Sequence, residues 1–216
     1  MKSKIFSVAL LVVLFLCIQS AKCNENIGGR FGVGPRYISF TEDSYLSFKN
    51  TIGGNIFFTI PIKKDLGPIS MIGIENAATF FKADAEEVDG YTRCFSIGQK
   101  VVIEKQFFRS DVDDYRMAVH CGAGYMYHVI RDFNAGGDLE TALENVSGFV
   151  DMRNSWGLVG SVGLDYYIWS TGLLRLNLEY NTAKSSVYLR NPNASIKAGE
   201  ADLTNISLTL TIGFRF

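Results

Sequence analysis

The stretch Asn205-Ile-Ser-Leu-Thr-Leu-Thr-Ile-Gly-Phe-Arg-Phe216 alternates without a break. Ile206, Leu208, Leu210, Ile212, Phe214 and Phe216 are apolar, and Ser207, Thr209, Thr211, Gly213 and Arg215 separate them. Successive side chains of a strand point to opposite faces, so this pattern dictates a strand with one apolar and one polar side. A soluble domain rarely leaves such a strand at its end on a bare Phe. The apolar side needs something to cover it.

The same alternation recurs upstream. Leu174, Leu176, Leu178 and Tyr180 alternate with Arg175, Asn177, Glu179 and Asn181. Leu158, Val162, Leu164, Tyr166 and Ile168 oppose Gly157, Ser161, Gly163 and Asp165. Weaker versions set Ile56, Phe58, Ile60 and Ile62 against Asn55 and Thr59, and Ile72, Ile74, Ala78 and Phe80 against Gly73, Glu75, Ala77 and Thr79. Over Phe95–Lys105, Ile97, Val101 and Ile103 oppose Gly98, Lys100 and Glu104. Over Tyr115–Tyr127, Met117, Val119, Ala123, Tyr125 and Tyr127 oppose Ala118, His120, Gly122 and Gly124. Arg30–Phe40 is the least regular because of Gly34-Pro35, although a proline is tolerated near a strand start. With the terminal strand this makes eight, each of about 10 residues, the length that crosses a bilayer at a tilt near 45°.

Composition agrees with a sheet. Among 216 residues there are 21 Gly, 16 Phe and 10 Tyr but only 4 Pro, which favours strands over helices or disorder. The length is that of about one domain. With 21 basic and 22 acidic residues the net charge is −1, and there is no electrostatic case for nucleic acid. The start, Met1-Lys-Ser-Lys4, then an apolar run Ile5–Ile18, then Gln19-Ser-Ala-Lys-Cys23, describes a secretory signal peptide cleaved near Ala21 or Cys23, so residues 1–23 are expected to leave and 24–216 to form the barrel domain. The run is short of the ~20 apolar residues of a spanning helix. Cys23 invites lipidation, but Lys22 stands where that processing wants a small residue. Export permits a disulfide between Cys94 and Cys121, while the strand register sets them several residues apart along neighbouring strands, against the ~7 Å that a bridge needs. No CxxC or HExxH spacing occurs, and neither metal nor cofactor is expected.

The connections alternate in length. Thr41–Thr51, Lys82–Arg93, Val129–Ser155 and Lys184–Leu203 are long, while Lys63–Ser70, Gln106–Asp114 and Ser170–Gly172 are short. A barrel with loops on one rim and turns on the other gives this pattern, and an even strand count puts both termini on the turn rim. The longest connection holds a segment, Gly137–Val146, that could form a short helix capped by Asp138. The sequons at Asn145, Asn193 and Asn205 read as chance matches.

A soluble β-barrel with its apolar faces inward also alternates. Three features favour a membrane barrel instead. The polar faces hold small residues suited to a narrow lumen. The strands end in aromatics (Phe80, Phe81, Tyr125, Tyr127, Tyr166, Tyr167, Trp169, Tyr180), as an interfacial girdle requires. And the final strand ends on Phe216. On these residues the chain resembles the small bacterial outer-membrane β-barrels, OmpA/OmpX-like or OmpW-like, of the porin family or outer membrane protein β-barrel domain. The resemblance is one of pattern over nearly the whole mature chain. It implies an all-β, eight-stranded antiparallel up-and-down transmembrane barrel in the outer membrane of a Gram-negative-type bacterium. Its partners would be outer-membrane lipids and a lipopolysaccharide-type glycolipid. Leu210, Ile212, Phe214 and Phe216 would be read by the barrel-assembly machinery. No peptidoglycan-binding domain is expected after Phe216.

Eight strands enclose a space that side chains largely fill. In this register Glu75, Lys100, Glu104, Asp165, Arg175, Glu179 and Arg215 point inward, and charges so placed must pair. A salt-bridge plug is the leading reading, and a narrow polar channel uses the same residues. An OmpW-like conduit for small apolar molecules predicts apolar inward residues near the loop rim, with Phe57, Val159 and Tyr167 as candidates and Phe57 and Val159 the ones nearest that rim. His128, Ser155 and either Asp132 or Asp151 could in principle build a lipid A-modifying site, but no spacing motif of such enzymes is present and a non-enzymatic protein is expected. His120 reads as a member of the inward network. Binding of host or extracellular ligands by the loops is the third class.

Overall fold

The computed structural model describes residues 29–41, 48–66, 68–84, 91–110, 115–134, 149–168, 171–191 and 194–216. The leader, the Gly137–Val146 segment, the sequons at Asn145 and Asn193, and Trp169 lie outside these residues.

Alternating sequence becomes alternating strand. The strands are β1 (Arg30–Phe40), β2 (Thr51–Leu66), β3 (Ile69–Asp84), β4 (Tyr91–Ser110), β5 (Tyr115–Asn134), β6 (Phe149–Met152), β7 (Ser155–Ile168), β8 (Gly172–Asn191), β9 (Ala194–Asp202) and β10 (Asn205–Arg215). Each ring strand pairs antiparallel with its neighbours, and β10 pairs both β8 and β1. A ring of eight therefore closes in the order β1-β2-β3-β4-β5-β7-β8-β10, which leaves no open edge within it.

The strands outrun their expected ends. β8 was expected over Leu174–Asn181 but continues to Asn191, where β6 and β9 pair with its two edges. Most of the expected Lys184–Leu203 connection is thus a β8–β9 hairpin, and the end of β5 and all of β6 occupy part of Val129–Ser155. The period fades there because the contrast between an apolar outside and a polar lumen fades, while backbone pairing continues without it.

Parity sorts the faces. Ser207, Thr209 and Thr211 point inward at 1–2% exposure, whereas Leu208, Leu210 and Ile212 stand outward at 46–70%. Phe81 and Tyr167, both counted in the expected aromatic girdle, face inward and are buried, which for Tyr167 is the inward position also considered for it. They directly follow the outward Phe80 and Tyr166, and adjacent strand residues cannot share a face. The outer aromatics are Phe80 stacked on Phe95 at 5.7 Å and Tyr127 against Trp156 at 4.5 Å toward the loop rim, with Phe58 on Phe216 at 5.7 Å toward the other. Cys94 faces inward, Cys121 faces outward, and both are free. Asn205 is buried, its amide donating to the Leu203 carbonyl at 2.7 Å.

The interior holds two apolar clusters. An apolar cluster of Ile38, Phe48, Phe81, Cys94, Met152, Val187 and Leu203 fills the loop end, and a smaller one of Phe57, Ala77, Ala118, Tyr167 and Leu173 lies toward the turn rim. Phe57 was expected near the loop rim. It lies instead with the second cluster, opposite Gly32, where an added Cβ would come within 2.4 Å of its ring. Gly32→Val should therefore lower stability by about 1–3 kcal/mol, read as an earlier urea midpoint. Phe57→Leu in the same chain should recover part of the loss, and an unchanged midpoint for Gly32→Val would contradict this packing.

Candidate functional site

Among and above the residues of the second cluster the lumen holds charge. Arg175 on β8 donates from Nε to Asp165 Oδ1 at 2.7 Å and from Nη2 to Asp165 Oδ2 at 2.8 Å, a two-point fork between adjacent strands. Its Nη1 reaches across the lumen to Glu75 Oε2, and its Cζ lies 4.2 Å from the centre of the Phe57 ring. Lys100 on β4 bridges Glu75 Oε1 at 3.0 Å and Glu179 Oε2 at 2.7 Å. Arg36 on β1 donates to the other Glu179 oxygen at 2.5 Å and to Thr79 at 3.3 Å. Arg30, also on β1, pairs with Glu104 and lies 3.3 Å from Asp165, and the Tyr167 hydroxyl donates to Glu104 at 2.8 Å. His120 places Nδ1 3.2 Å from Asp165 and Nε2 3.0 Å from Asn177 Oδ1.

Four cations (Arg30, Arg36, Lys100, Arg175) thus meet four carboxylates (Glu75, Glu104, Asp165, Glu179), with side chains 0–6% exposed. A single uncompensated charge at such burial is far costlier than any pair is favourable, so the balance matters more than each bond. The cavity inside the network, lined by Lys100, Arg175, Glu75, Glu179, Thr209 and Thr211 among others, measures about 10 Å³, room for about one water.

Six of the seven residues expected in the lumen network are brought together here. Arg215 is not: it is half-buried near the turn rim, and none of the described ion pairs includes it. Arg30 and Arg36 were missed. Gly34-Pro35 hid the faces of β1, yet Arg30, Gly32, Arg36 and Ile38 share one parity and all are buried. Following every second residue through the proline would have found both arginines.

The His128 constellation takes a different form from the one considered. His128 is buried, its Nδ1 2.7 Å from Ser96 Oγ and 3.8 Å from Cys94 Sγ, and its Nε2 2.9 Å from the Asn181 amide. Ser155 is its cross-strand partner, but Ser155 Oγ makes no hydrogen bond among the described residues. The side chain of Asp132 lies outside them. Both ring nitrogens are taken by neutral groups. Among the described residues no group of three His, Cys, Asp or Glu could hold a metal ion.

Closed eight-stranded ring, apolar outer face and filled lumen define the fold of the small outer-membrane β-barrels. The outer membrane protein OprG from Pseudomonas aeruginosa is similar at a TM-score of 0.57 and 15% identity, over 88% of this chain and 94% of that one. The outer membrane protein AlkL, solved in DMPC lipid bilayers, is similar at 0.54 and 11% identity, over 90% and 93%. No protein-family model and no curated protein sequence matches the chain.

Arg175→Met leaves Asp165 and Glu75 each short of a cation in a dry site. The expected loss is about 3–5 kcal/mol by denaturant titration of folded barrel. Lys82→Ala, which removes an exposed partner of Asp84 at 3.2 Å, should cost less than about 1 kcal/mol. Equal effects of the two changes would show that the network carries no special weight.

Proposed function

We propose that the chain is an integral outer-membrane β-barrel protein, structural or porin-like rather than enzymatic, with a lumen closed by its ion-pair network and loops presented outside. The observation that carries this is the division of faces. Apolar side chains stand outward all round the ring, and the charges that a soluble barrel would place on its surface are paired inside it. In this reading lipids and a lipopolysaccharide-type glycolipid surround the outer face. Leu210, Ile212, Phe214 and Phe216, all outward, serve as the address read by the assembly machinery.

A second reading, a conduit for small apolar molecules, draws on one observation, the apolar cluster at the loop end. That cluster is packed shut in this conformation, with Ile38 and Leu203 at 1% and 0% exposure. It would have to open for passage.

Two measurements separate these readings. Extracted from outer membranes, unboiled protein should migrate differently from boiled protein on a gel, and recovery in the soluble periplasmic fraction without that shift would overturn the membrane assignment. In planar bilayers the wild-type protein should give no open-state current. Steady currents lost in Lys100→Ala would replace the plug with a channel.

A further inference from the structure

The outer face breaks its own rule in one place. Asn76 on β3, Gln99 on β4 and Tyr125 on β5 are cross-strand partners in one row, and all three point away from the lumen. Gln99 Nε2 donates to Asn76 Oδ1 at 3.0 Å, and the Tyr125 hydroxyl donates to Gln99 Oε1 at 3.2 Å. The outward neighbours along these strands are Ile74, Ala78, Ile97, Val101, Ala123 and, toward the loop rim, Tyr127. Along β4, Gln99 lies ~10 Å from the outward Phe95 and ~15 Å from Lys105, the next outward charge toward the turn rim, taking strand rise and a 40° tilt. An apolar band is ~25 Å tall, so Asn76 and Gln99 sit inside it and not among headgroups, while Tyr125, its ring 5.7 Å from Trp156, joins them from the aromatics toward the loop rim.

Polar side chains at that depth are expensive and mark contacts. The row's own bonds leave both Asn76 amide hydrogens, one Gln99 amide hydrogen and one lone pair on each of the two amide oxygens unused. Acyl chains offer none of them a partner. Beside the row the surface is low. Ala123 is the cross-strand partner of Gly160, both face outward, and nothing lies within 4 Å of where a Gly160 Cβ would stand. Small residues beside polar ones are the arrangement that lets two membrane proteins approach closely and hydrogen-bond.

We propose that this face, β3 to β5 with Gly160 of β7, docks a second copy of the chain inside the membrane, the two polar rows meeting about a two-fold axis. A side-chain amide is donor and acceptor at once. Two identical rows related by a two-fold therefore offer the three spare Asn76 and Gln99 hydrogens the two spare amide-oxygen lone pairs and the Tyr125 hydroxyl oxygen of the other copy, as an isologous interface requires. The inference rests on the membrane reading above.

The full chain, reconstituted in phosphatidylcholine vesicles and labelled on an exposed loop, is counted by single-molecule photobleaching over a range of protein-to-lipid ratios. Wild-type protein should show paired subunits. Asn76→Leu with Gln99→Leu should need a protein-to-lipid ratio at least about tenfold higher for half-pairing. Ala123→Trp keeps the row but blocks close approach, and should weaken pairing likewise. A retained heat-dependent gel shift shows that each variant is folded. Single subunits for wild type at every ratio, or pairing of the double variant as tight as wild type, would overturn the docking surface while leaving the membrane reading intact. Absence of the heat shift in the wild type would remove both.

Discussion

Arg175 forks onto Asp165 on one side of the lumen and reaches Glu75 on the other, and the interior is arranged around this cation so that each buried charge of the network meets an opposite one. Glu75 is completed by Lys100, Lys100 by Glu179, and Glu179 by Arg36. Asp165 and Glu104 share Arg30. Each member is supplied by a different strand from its main partner, so the network forms only when the ring has closed. It also makes the closing pair special, because β1 brings two of the four cations and pairs with the last strand, β10. Without β1, two cations would face four buried carboxylates.

The apolar clusters belong to the same solution. A chain of charges across a lumen this narrow needs water kept away for its bonds to be strong; one apolar cluster fills the loop end and the other is interleaved with the charges, Phe57 against Arg175 and Tyr167 bonded to Glu104. Phe57 shows the coupling at one residue: its ring lies over the Arg175 guanidinium and is seated by the absent side chain of Gly32. Outside, the face is simple by comparison, with aromatics toward each rim and aliphatic residues between. The row from Asn76 to Tyr125 stands out because everything around it follows the rule.

The ring, its handed parity and the inward carboxylates were legible because alternation is a local property that survives in each strand separately. Leu174–Asn181 alone assigns Arg175 and Glu179 to the lumen. What stayed hidden was set by relations between strands. Arg36 finds Glu179 through closure of the ring, which no local pattern encodes. Arg215 shares the parity of the network but not its height, since it lies near the turn rim, and parity does not report height. The extensions of β4, β5 and β8 were hidden for a third reason: beyond the apolar band a strand keeps its hydrogen bonds and loses the periodic signature that reveals it. His128 followed from the same limit, because its partners Ser96 and Asn181 come from strands on both sides of it.

The most direct test of a lipid-facing outside and a closed inside is a residue-by-residue accessibility scan of β10 in reconstituted bilayers. Spin labels at Leu208, Leu210 and Ile212 should be relaxed by oxygen and not by a water-soluble nickel complex. Cysteines at Thr209 and Thr211 should resist a water-soluble thiol reagent until the barrel is unfolded. Rapid labelling of Thr209→Cys in the folded protein would mean an open lumen, and nickel relaxation at Leu210 would mean that this face meets water instead of lipid.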